Sequence, residues 1–208
     1  MPKTAPTPPS AATPRPPRRE LRIPSGAVVV VGGIPGAGKS TLIARLARPG
    51  LRTLDPDRIR ARWRRVAGRR LPYRLYRPLV HLEHHVTVAA ALLRPGALVV
   101  HECATRPSLR RLVATLASLG GHPCHLVLLD VDPDEARRGQ RVRGRVVPAE
   151  SMRGHAARWA RLRAELAAGS DRLRREGFAS WEVLDRPAAA ALERLVVPAR
   201  EQAGAPGA

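Results

Sequence analysis

The sequence predicts an α/β fold with a parallel five-stranded sheet flanked by helices. Two observations predict it. Short apolar runs alternate with longer stretches of helical periodicity along most of the 208 residues. The first run, 27–31, is one alanine followed by four valines, which is typical of a strand buried on both faces. Such alternation favours parallel strands joined by helical crossovers.

The elements follow in order from their periodicity and their stop signals. Proline and glycine end the helices at Pro49-Gly50 and at Pro95-Gly96, and Gly120 ends a third. The predicted strands are 27–32, 51–55, 97–102, 125–131 and 180–185. The predicted helices are 41–47, 57–70, 75–94, 108–120, 133–142, 148–168 and 187–197.

The loop after the first strand carries the most specific motif in the chain. Residues 33–40, GIPGAGKS, fit the pattern G-x-x-x-x-G-K-[ST] of the phosphate-binding loop, between a predicted strand and a predicted helix. Glycines let backbone N–H groups converge on an anion, and the helix start adds its positive dipole end. ATP and Mg²⁺ are therefore the expected cofactors, with Lys39 on the β- and γ-phosphates and Ser40 as the metal ligand. The predicted nucleotide-binding residues of this loop are Gly33, Gly36, Ala37, Gly38, Lys39, Ser40 and Thr41.

Lysine is almost absent from the rest of the chain. Of 37 Lys and Arg residues only Lys3 and Lys39 are lysine. A compact ammonium fits within a tight glycine loop, whereas the planar guanidinium fork of arginine does not. This difference explains why a chain that uses arginine almost everywhere keeps a lysine at position 39.

Composition divides the chain into a central domain and two tails. Residues 1–24 are rich in Pro, Thr, Ala and Arg and predict a disordered basic tail; 25–200 form the domain, and 201–208 a flexible end. Cys103 and Cys124 lack C-x-x-C spacing and suit a reducing compartment. With neither a secretory signal nor a long apolar stretch, we expect a cytoplasmic protein without membrane contact.

The formal net charge of +20 favours anionic partners. Nucleotides, phosphorylated substrates and nucleic acid all fit this charge. The near-exclusive use of arginine is also typical of a coding bias, under which part of the charge carries no function.

Asp57 and Arg60 follow the second predicted strand and lie three residues apart, on one face of a helix start. A carboxylate there can accept the proton of an attacking hydroxyl, and the arginine can hold a phosphate or orient the acid. Alternatively, Asp57 caps the helix.

The motif GIPGAGKST followed by LDPDRIR resembles the small P-loop kinases typified by polynucleotide 5′-kinase, zeta toxins and chloramphenicol phosphotransferase, chains often described as AAA-family ATP-binding proteins. The resemblance covers roughly residues 26–186 and implies a P-loop NTPase fold with an arginine-rich lid. It implies that Asp57 is the general base and that Arg60 contacts acceptor or phosphate. HECATRPSLRR, after the third strand, is similar to the acceptor-side segment, which would place Glu102, Thr105 and Arg106 near the acceptor.

The predicted lid, about 137–158, holds five arginines within residues 137–145. Arg138 and Arg141, three apart, are the first candidates to stabilise the migrating phosphoryl group, followed by Arg145. A solvated helix face is the alternative. No apolar run ends in a clear Walker-B aspartate, so Glu102 is the favoured Mg²⁺-side or acceptor-side acid. Arg186 follows the fifth strand, where a loop borders the adenine in related folds.

Two further patterns are less specific. His81 and His85 share a helix face, but the acid in HLEHH does not stand where zinc proteases place it, so we expect packing rather than a metal site. Residues 58–77 combine nine arginines with Trp63, Tyr73 and Tyr76, which suits either a nucleic-acid surface or an amphipathic helix with an aromatic core side.

The sequence therefore predicts an ATP-dependent phosphotransferase with a hydroxyl acceptor. A nucleic-acid 5′-end, a nucleotide and a small molecule all remain candidate acceptors. A nucleic-acid-dependent ATPase and a non-catalytic ATP-binding switch are the alternatives, and the oligomeric state is open.

Overall fold

The computed structural model describes residues 19–24, 26–68, 71–144 and 146–196. The strands are β1 (Arg19–Arg22), β2 (Val28–Gly33), β3 (Arg52–Leu54), β4 (Leu98–His101), β5 (Cys124–Leu129), β6 (Ser180–Leu184) and β7 (Leu192–Val196). The helices are α1 (Lys39–Leu46), α2 (Pro56–Ala67), α3 (Tyr73–Leu92), α4 (Pro107–Leu119), α5 (Pro133–Val142), α6 (Ala149–Ala167), α7 (Arg172–Arg175) and α8 (Arg186–Ala191).

Five strands form the central sheet, in the order β3-β4-β2-β5-β6, and all its neighbours pair in parallel. The prediction of a parallel five-stranded sheet is confirmed. Strand β2 lies in the middle, and Val28–Val31 are at most 1% exposed because helices cover both faces. Parallel pairing brings the carboxyl ends of all five strands to one edge, where ligands of such folds bind.

A second sheet consists of only two strands, β1 and β7, paired in parallel with Leu21 opposite Leu195. Strand β1 lies within the segment for which composition predicts a disordered tail through residue 24. Residues 1–18 of that predicted tail lie outside the described residues. The predicted closing helix 187–197 is wrong in its second half, since α8 ends at Ala191 and 192–196 form β7. Leu192 and Leu195 are 1% and 2% exposed and pack into the core in the extended conformation.

The other predicted helices agree with the structure to within a few residues. Strand β4 ends at His101 rather than at Glu102, and the single-turn helix α7 had no counterpart among the predicted elements. Among the residues that the structure describes, none of the helices is both long enough and apolar enough to cross a membrane.

Candidate functional site

The glycine-rich loop lies at the carboxyl end of the central strand β2. Gly33, Gly36 and Gly38 have φ values of 141°, 91° and 101°, in the region that side-chain-bearing residues rarely adopt. Steric space also demands glycine at position 36, because a Cβ there would lie 2.1 Å from the carbonyl oxygen of Ala136. A Cβ at Gly38 would meet open space. The loop therefore has the strained, side-chain-free backbone that a phosphate cradle requires.

Lys39 begins helix α1 and lies inside this loop. Its side chain is buried, and Nζ donates hydrogen bonds to the carbonyl oxygens of Gly33 (2.8 Å) and Ile34 (3.0 Å). A slender ammonium is thus held at the concave face of the loop by two carbonyl groups. Ala37, next to it, is 5% exposed and donates its N–H to the Ile34 carbonyl oxygen at 3.1 Å.

Ser40 lies where the ends of three strands meet. Its Oγ donates to Oδ2 of Asp57 at 3.3 Å and lies 3.3 Å from Nδ1 of His101, the last residue of β4. Nδ1 of His101 is also 3.0 Å from Oδ1 of Asp55. Burial alone would raise the pKa of Asp55, but the hydrogen bond and charge of His101 outweigh it and lower this pKa to about 2. Asp55 is therefore ionised at neutral pH.

Asp55, rather than Asp57, caps helix α2. Its Oδ1 accepts a hydrogen bond of 2.9 Å from the backbone N–H of Asp57, and Pro56 follows at the first helical position. The suggestion that Asp57 is the cap is wrong for that reason. The Asp57 carboxylate is instead directed at Ser40 and at Arg60, whose Nη1 donates to Oδ1 at 3.2 Å. Arg60 in turn donates from Nη2 to the Tyr73 hydroxyl at 2.9 Å.

Glu102 follows β4 and is nearly buried. Its Oε1 accepts the N–H of Cys103 at 2.8 Å, and Oε2 lies 3.5 Å from Nε2 of His85 on α3. Burial favours the neutral acid, yet the hydrogen bond from His85 prevails and lowers the pKa of Glu102, while the same bond raises the pKa of His85. The contact between His85 and Glu102 agrees with the expectation that HLEHH serves packing and hydrogen bonding.

A strained backbone precedes Thr105. Ala104 is buried and has a φ of 53°, the one positive value found for a non-glycine residue in the described ranges. Its carbonyl oxygen accepts a 2.9 Å hydrogen bond from Nη1 of Arg110, and the buried Arg110 forms a bidentate pair with Glu176 at 2.5 and 2.7 Å. This buried pair fixes the turn that leads into Thr105 and Arg106.

Thr105 contacts His155 of helix α6, within the segment predicted to be the lid. Its Oγ1 lies 2.9 Å from Nδ1 of His155, and the Thr105 side chain is buried. Burial, followed by the charges of Arg158, Lys39, Arg106 and Arg77, lowers the pKa of His155 to about 4. His155 is therefore neutral at physiological pH and is surrounded by cationic side chains.

Helix α5 packs directly against the phosphate loop. Gln140 donates from Nε2 to the Pro35 carbonyl oxygen at 2.9 Å, and a Cβ added at Gly139 would lie 2.9 Å from the Gly36 carbonyl oxygen. One turn further on, Arg143 donates from Nη2 to Oγ1 of Thr41 at 2.5 Å. Positions 136, 139, 140 and 143 thus form the face of α5 that points at the loop.

Arg138 and Arg141 lie on the opposite face of α5. Both are exposed, and helical geometry turns them roughly 140° to 200° away from position 136. The structure does not bring either side chain to the loop, so their catalytic role stays a prediction. Arg145 lies outside the described residues. Among the described residues of the predicted lid, Arg143 contacts a loop residue, Thr41.

Arg186, at the first position of α8, forms an ion pair with Glu135 at the start of α5. The pair links the loop after β6 to the helix that covers the phosphate loop. Whether Arg186 flanks an adenine stays a prediction. Its position, at the edge where β5 and β6 end, is on the opposite side of β2 from Asp57, Glu102 and Thr105.

The three aromatic residues of the segment 58–77 pack against one another. Trp63 and Tyr76 stack with ring centroids 6.4 Å apart, and Tyr73 meets Tyr76 edge-on at 5.2 Å. Nε1 of Trp63 also donates to Glu83 at 2.7 Å. The aromatic residues therefore join α2 to α3, which is the second of the two interpretations that the sequence leaves open.

The donor set fits ATP with Mg²⁺ on structural grounds. No group of three or more metal-ligating His, Cys, Asp or Glu side chains occurs in the described part of the chain. Mg²⁺ does not need one, because it is usually held by one or two protein oxygens, phosphate oxygens and water. Ser40 Oγ, beside the Asp57 carboxylate, supplies such a position.

Sequence reasoning missed three residues of this site: His101, Arg143 and His155. His101 could have been found, because it is the last residue but one of the predicted strand 97–102, at the edge where ligands bind. The roles of Arg143 and His155 depend on which face of α5 and α6 meets the sheet, and the sequence alone leaves that choice open.

Comparison with known proteins gives one family. The model of the family described as AAA domain matches residues 28–168. A search of the curated proteins finds no significant match.

Solved structures give a likeness of fold. The chain is similar to a structure from the PezAT toxin-antitoxin system of Streptococcus pneumoniae, with 16% identity, 82% of this chain and 72% of the other covered, and a TM-score of 0.53. It is also similar to a protein of Chloroflexus aurantiacus described as a candidate kinase, with 16% identity, 77% and 85% covered, and a TM-score of 0.51. A gluconokinase from Sinorhizobium meliloti 1021 superposes more loosely, with 17% identity, 80% and 91% covered, and a TM-score of 0.48.

Proposed function

Because the chain belongs to the AAA domain family and has the fold of P-loop kinase-like proteins, we propose that it transfers the γ-phosphoryl group of ATP to a hydroxyl acceptor. Gly33, Gly36 and Gly38 would surround the phosphates with backbone N–H groups, and Lys39 would leave its two carbonyl partners for the β- and γ-phosphates. Ser40 would hold Mg²⁺, which neutralises charge on the phosphates when it is bound.

The contact between Asp57 and Ser40 supports this proposal more than any other observation. The Asp57 carboxylate lies 3.3 Å from the hydroxyl that would bind Mg²⁺, so it would lie near the γ-phosphate, and Asp55 has already taken the capping role. Asp57 would accept the acceptor's proton, and Arg60 would hold the carboxylate in place. Glu102 and Thr105, at the adjacent end of β4, would line the acceptor side.

Asp57→Asn tests the proposal. The substitution keeps the side-chain shape and leaves the Asp55 cap intact, so ATP affinity and melting temperature should stay close to those of the wild type. Phosphoryl transfer should fall by about 100-fold or more, the usual scale for a missing general base. The assay is transfer of label from ATP to RNA ends, DNA ends, nucleosides and aminocyclitol or amphenicol antibiotics.

Two outcomes would contradict a kinase. ATP hydrolysis that needs no acceptor, is stimulated by DNA or RNA and survives Asp57→Asn would indicate a nucleic-acid-dependent ATPase. Tight ATP binding with neither transfer nor hydrolysis would indicate a binding switch. Should transfer itself survive Asp57→Asn, the base must be Asp55 or Glu102.

A further inference from the structure

Four cationic side chains from different parts of the chain act electrostatically on His155, in the space beside the phosphate loop. Arg77 and Arg106 are exposed, and Arg158 is partly buried. Lys39 belongs to α1, Arg77 to α3 and Arg158 to α6, while Arg106 directly precedes α4. All four lie close enough to act electrostatically on the His155 ring. We call Arg77, Arg106, Arg158 and His155 the cleft cluster.

Lys39 is already accounted for by the loop, but two arginines of the cleft cluster are not. The side chains of Arg106 and Arg158 form no hydrogen bond or ion pair with the other residues that the structure describes, although the Arg106 carbonyl oxygen accepts the N–H of Arg110. Nε of Arg158 is buried without a partner, and such a group costs about 1–3 kcal/mol unless something satisfies it. Arg77 donates to His81, which is not an acid.

Like charges that lie close together repel one another, and a bound anion would offset that repulsion. The four strongest charged influences on His155 are all positive. The turn through Ala104, fixed by the buried Arg110–Glu176 pair, holds Arg106 at the start of α4, and no side chain caps that helix. Its free first-turn N–H groups add donors for the same anion.

The cleft cluster extends across both sides of the central strand. His155 and Arg158 belong to α6, whose Trp159 donates to Asp130 at the end of β5. Arg77 and Arg106 belong to the elements around β3 and β4, on one side of the central strand β2. Helix α5 and Arg186, which cover the loop and follow β6, lie on the other side. An anion held by Arg77 and Arg106 would therefore lie on the side of Asp57 and Glu102, next to the acceptor hydroxyl.

We infer that the cleft cluster is a second anion site that binds a phosphate or pyrophosphate group carried by the acceptor itself. Thr105 and neutral His155 supply a hydroxyl and a ring nitrogen, and Arg77, Arg106 and Arg158 supply the charge. The inference deepens the proposed function, since it restricts the acceptor to phosphorylated alcohols such as nucleotides, nucleotide sugars and sugar phosphates. Uncharged alcohols would lack the group that this site holds.

Binding of inorganic phosphate tests the site without any knowledge of the acceptor. The protein is first saturated with a non-hydrolysable ATP analogue and Mg²⁺ so that the loop is filled, and phosphate is then titrated by calorimetry. Phosphate should still bind. Arg106→Ala and Arg158→Ala should each weaken it by about tenfold, as expected for the loss of one charge-assisted hydrogen bond. Arg111→Ala, which removes an exposed arginine from the same helix α4, is the matched control and should leave phosphate binding unchanged.

The Lys39→Ala variant separates this inference from the proposed function. If the ATP analogue fails to bind even to the wild type, the kinase proposal fails, but phosphate binding to Lys39→Ala still decides the anion site. Binding that survives Lys39→Ala and is lost in Arg106→Ala supports a separate site. The inference is overturned if the analogue displaces phosphate, if phosphate does not bind, or if Arg111→Ala weakens binding as much as Arg106→Ala does.

Discussion

The narrow space around position 39 explains why this residue is lysine and not arginine. Its side chain is 4% exposed, and its ammonium contacts the carbonyl oxygens of Gly33 and Ile34 at hydrogen-bond distance. A guanidinium is wider and planar, and the same pocket offers it neither the width nor the donor directions that it needs. The preference for arginine elsewhere in the chain makes this position an informative exception.

Lys39→Ala should abolish phosphoryl transfer, and Lys39→Arg should abolish it as well, although the charge is kept. ATP affinity and turnover measured on both variants check the prediction, with the melting temperature as a control for folding. Near-wild-type turnover in Lys39→Arg would mean that loop geometry does not select lysine, and that Lys39 is lysine by chance.

His155 should give the protein a measurable pH dependence. Its folded pKa, about 4, lies below the ordinary value of 6.5, so between these values the unfolded chain binds a proton that the folded chain does not. The free energy of unfolding should therefore fall as the pH falls from 6.5 toward 4. Denaturant titrations of the wild type and of His155→Gln measure the contribution as the difference between the two curves.

Direct NMR titration of the His155 ring provides the second readout. The ring should titrate near the low value, and added phosphate should raise its pKa if an anion enters the cleft cluster. An ordinary histidine pKa in the phosphate-free protein would contradict the crowding of cations around His155.

The residues of the site were predictable where a motif or a strand end identified them. The phosphate loop follows from its glycines. Asp57 follows from its place after a predicted strand, and Glu102 from its place at the end of one. The sequence could not predict which of Asp55 and Asp57 caps helix α2 and which faces Ser40. Both acids stand near a helix start with one residue between them, and only the observed backbone shows which one accepts the N–H bond of the cap.

At the scale of elements, the lid depends on which face helix α5 presents. Ala136, Gly139 and Gln140 are small or neutral and pack on the loop, and this contact sets Arg143 toward Thr41. The spacing of Arg138 and Arg141 indicated a shared face but could not say which way that face points. The small residues of α5 that pack on the glycine loop determine which face of the helix points at the loop. The spacing of charged residues alone does not show which face that is.

Arg143→Ala should lower turnover more than ATP affinity, because a charge at the loop edge acts most on the charge that develops in the transition state. Arg138→Ala and Arg141→Ala serve as comparisons on the same helix. The earlier expectation for these two is the same loss, whereas their outward position in the structure favours a smaller effect than that of Arg143→Ala. Steady-state kinetics on the three variants distinguish these outcomes.

Helices α2 and α3 show that sequence periodicity predicts where a helix begins and ends but not which side chains of two helices make contact. Their bounds follow the sequence closely, with α3 spanning Tyr73–Leu92 against a predicted 75–94. Composition could not decide whether Trp63 and Tyr76 stack on bases or on each other. Their contact depends on the angle at which two helices meet, which is a property of the assembled fold.

For the whole molecule, the parallel five-stranded sheet could be predicted from the sequence, but the structure of the chain ends could not. Five apolar runs separated by helices favour a parallel sheet through the handedness of their crossovers. Strand β1 was not predicted because Arg19–Arg22 follows a proline-rich stretch and has only one apolar residue. Strand β7 was not predicted because LERLV fits a helix as well as a strand. Each strand is stable only because the other exists.

Truncation tests the role of that pair. Removal of residues 1–18 should leave the melting temperature nearly unchanged, because those residues precede β1. Removal through residue 22 should lower it by several degrees, since Leu192 and Leu195 lose their cover and burial of such a side chain contributes about 1.5–3 kcal/mol. Thermal unfolding followed by circular dichroism measures both. Equal melting temperatures would show that β1 adds nothing to stability.

The parallel pairing of β1 and β7 also has a mechanical consequence. Arg19 stands at the beginning of one strand and Val196 at the end of the other, and the two strands point in the same direction. A pulling force applied between these two residues drags the strands past each other along their length. All the hydrogen bonds between the two strands then bear the load together, instead of opening one after another from an end. A force that pulls on the two ends of the chain would therefore have to break this small sheet before it could unfold the phosphate loop.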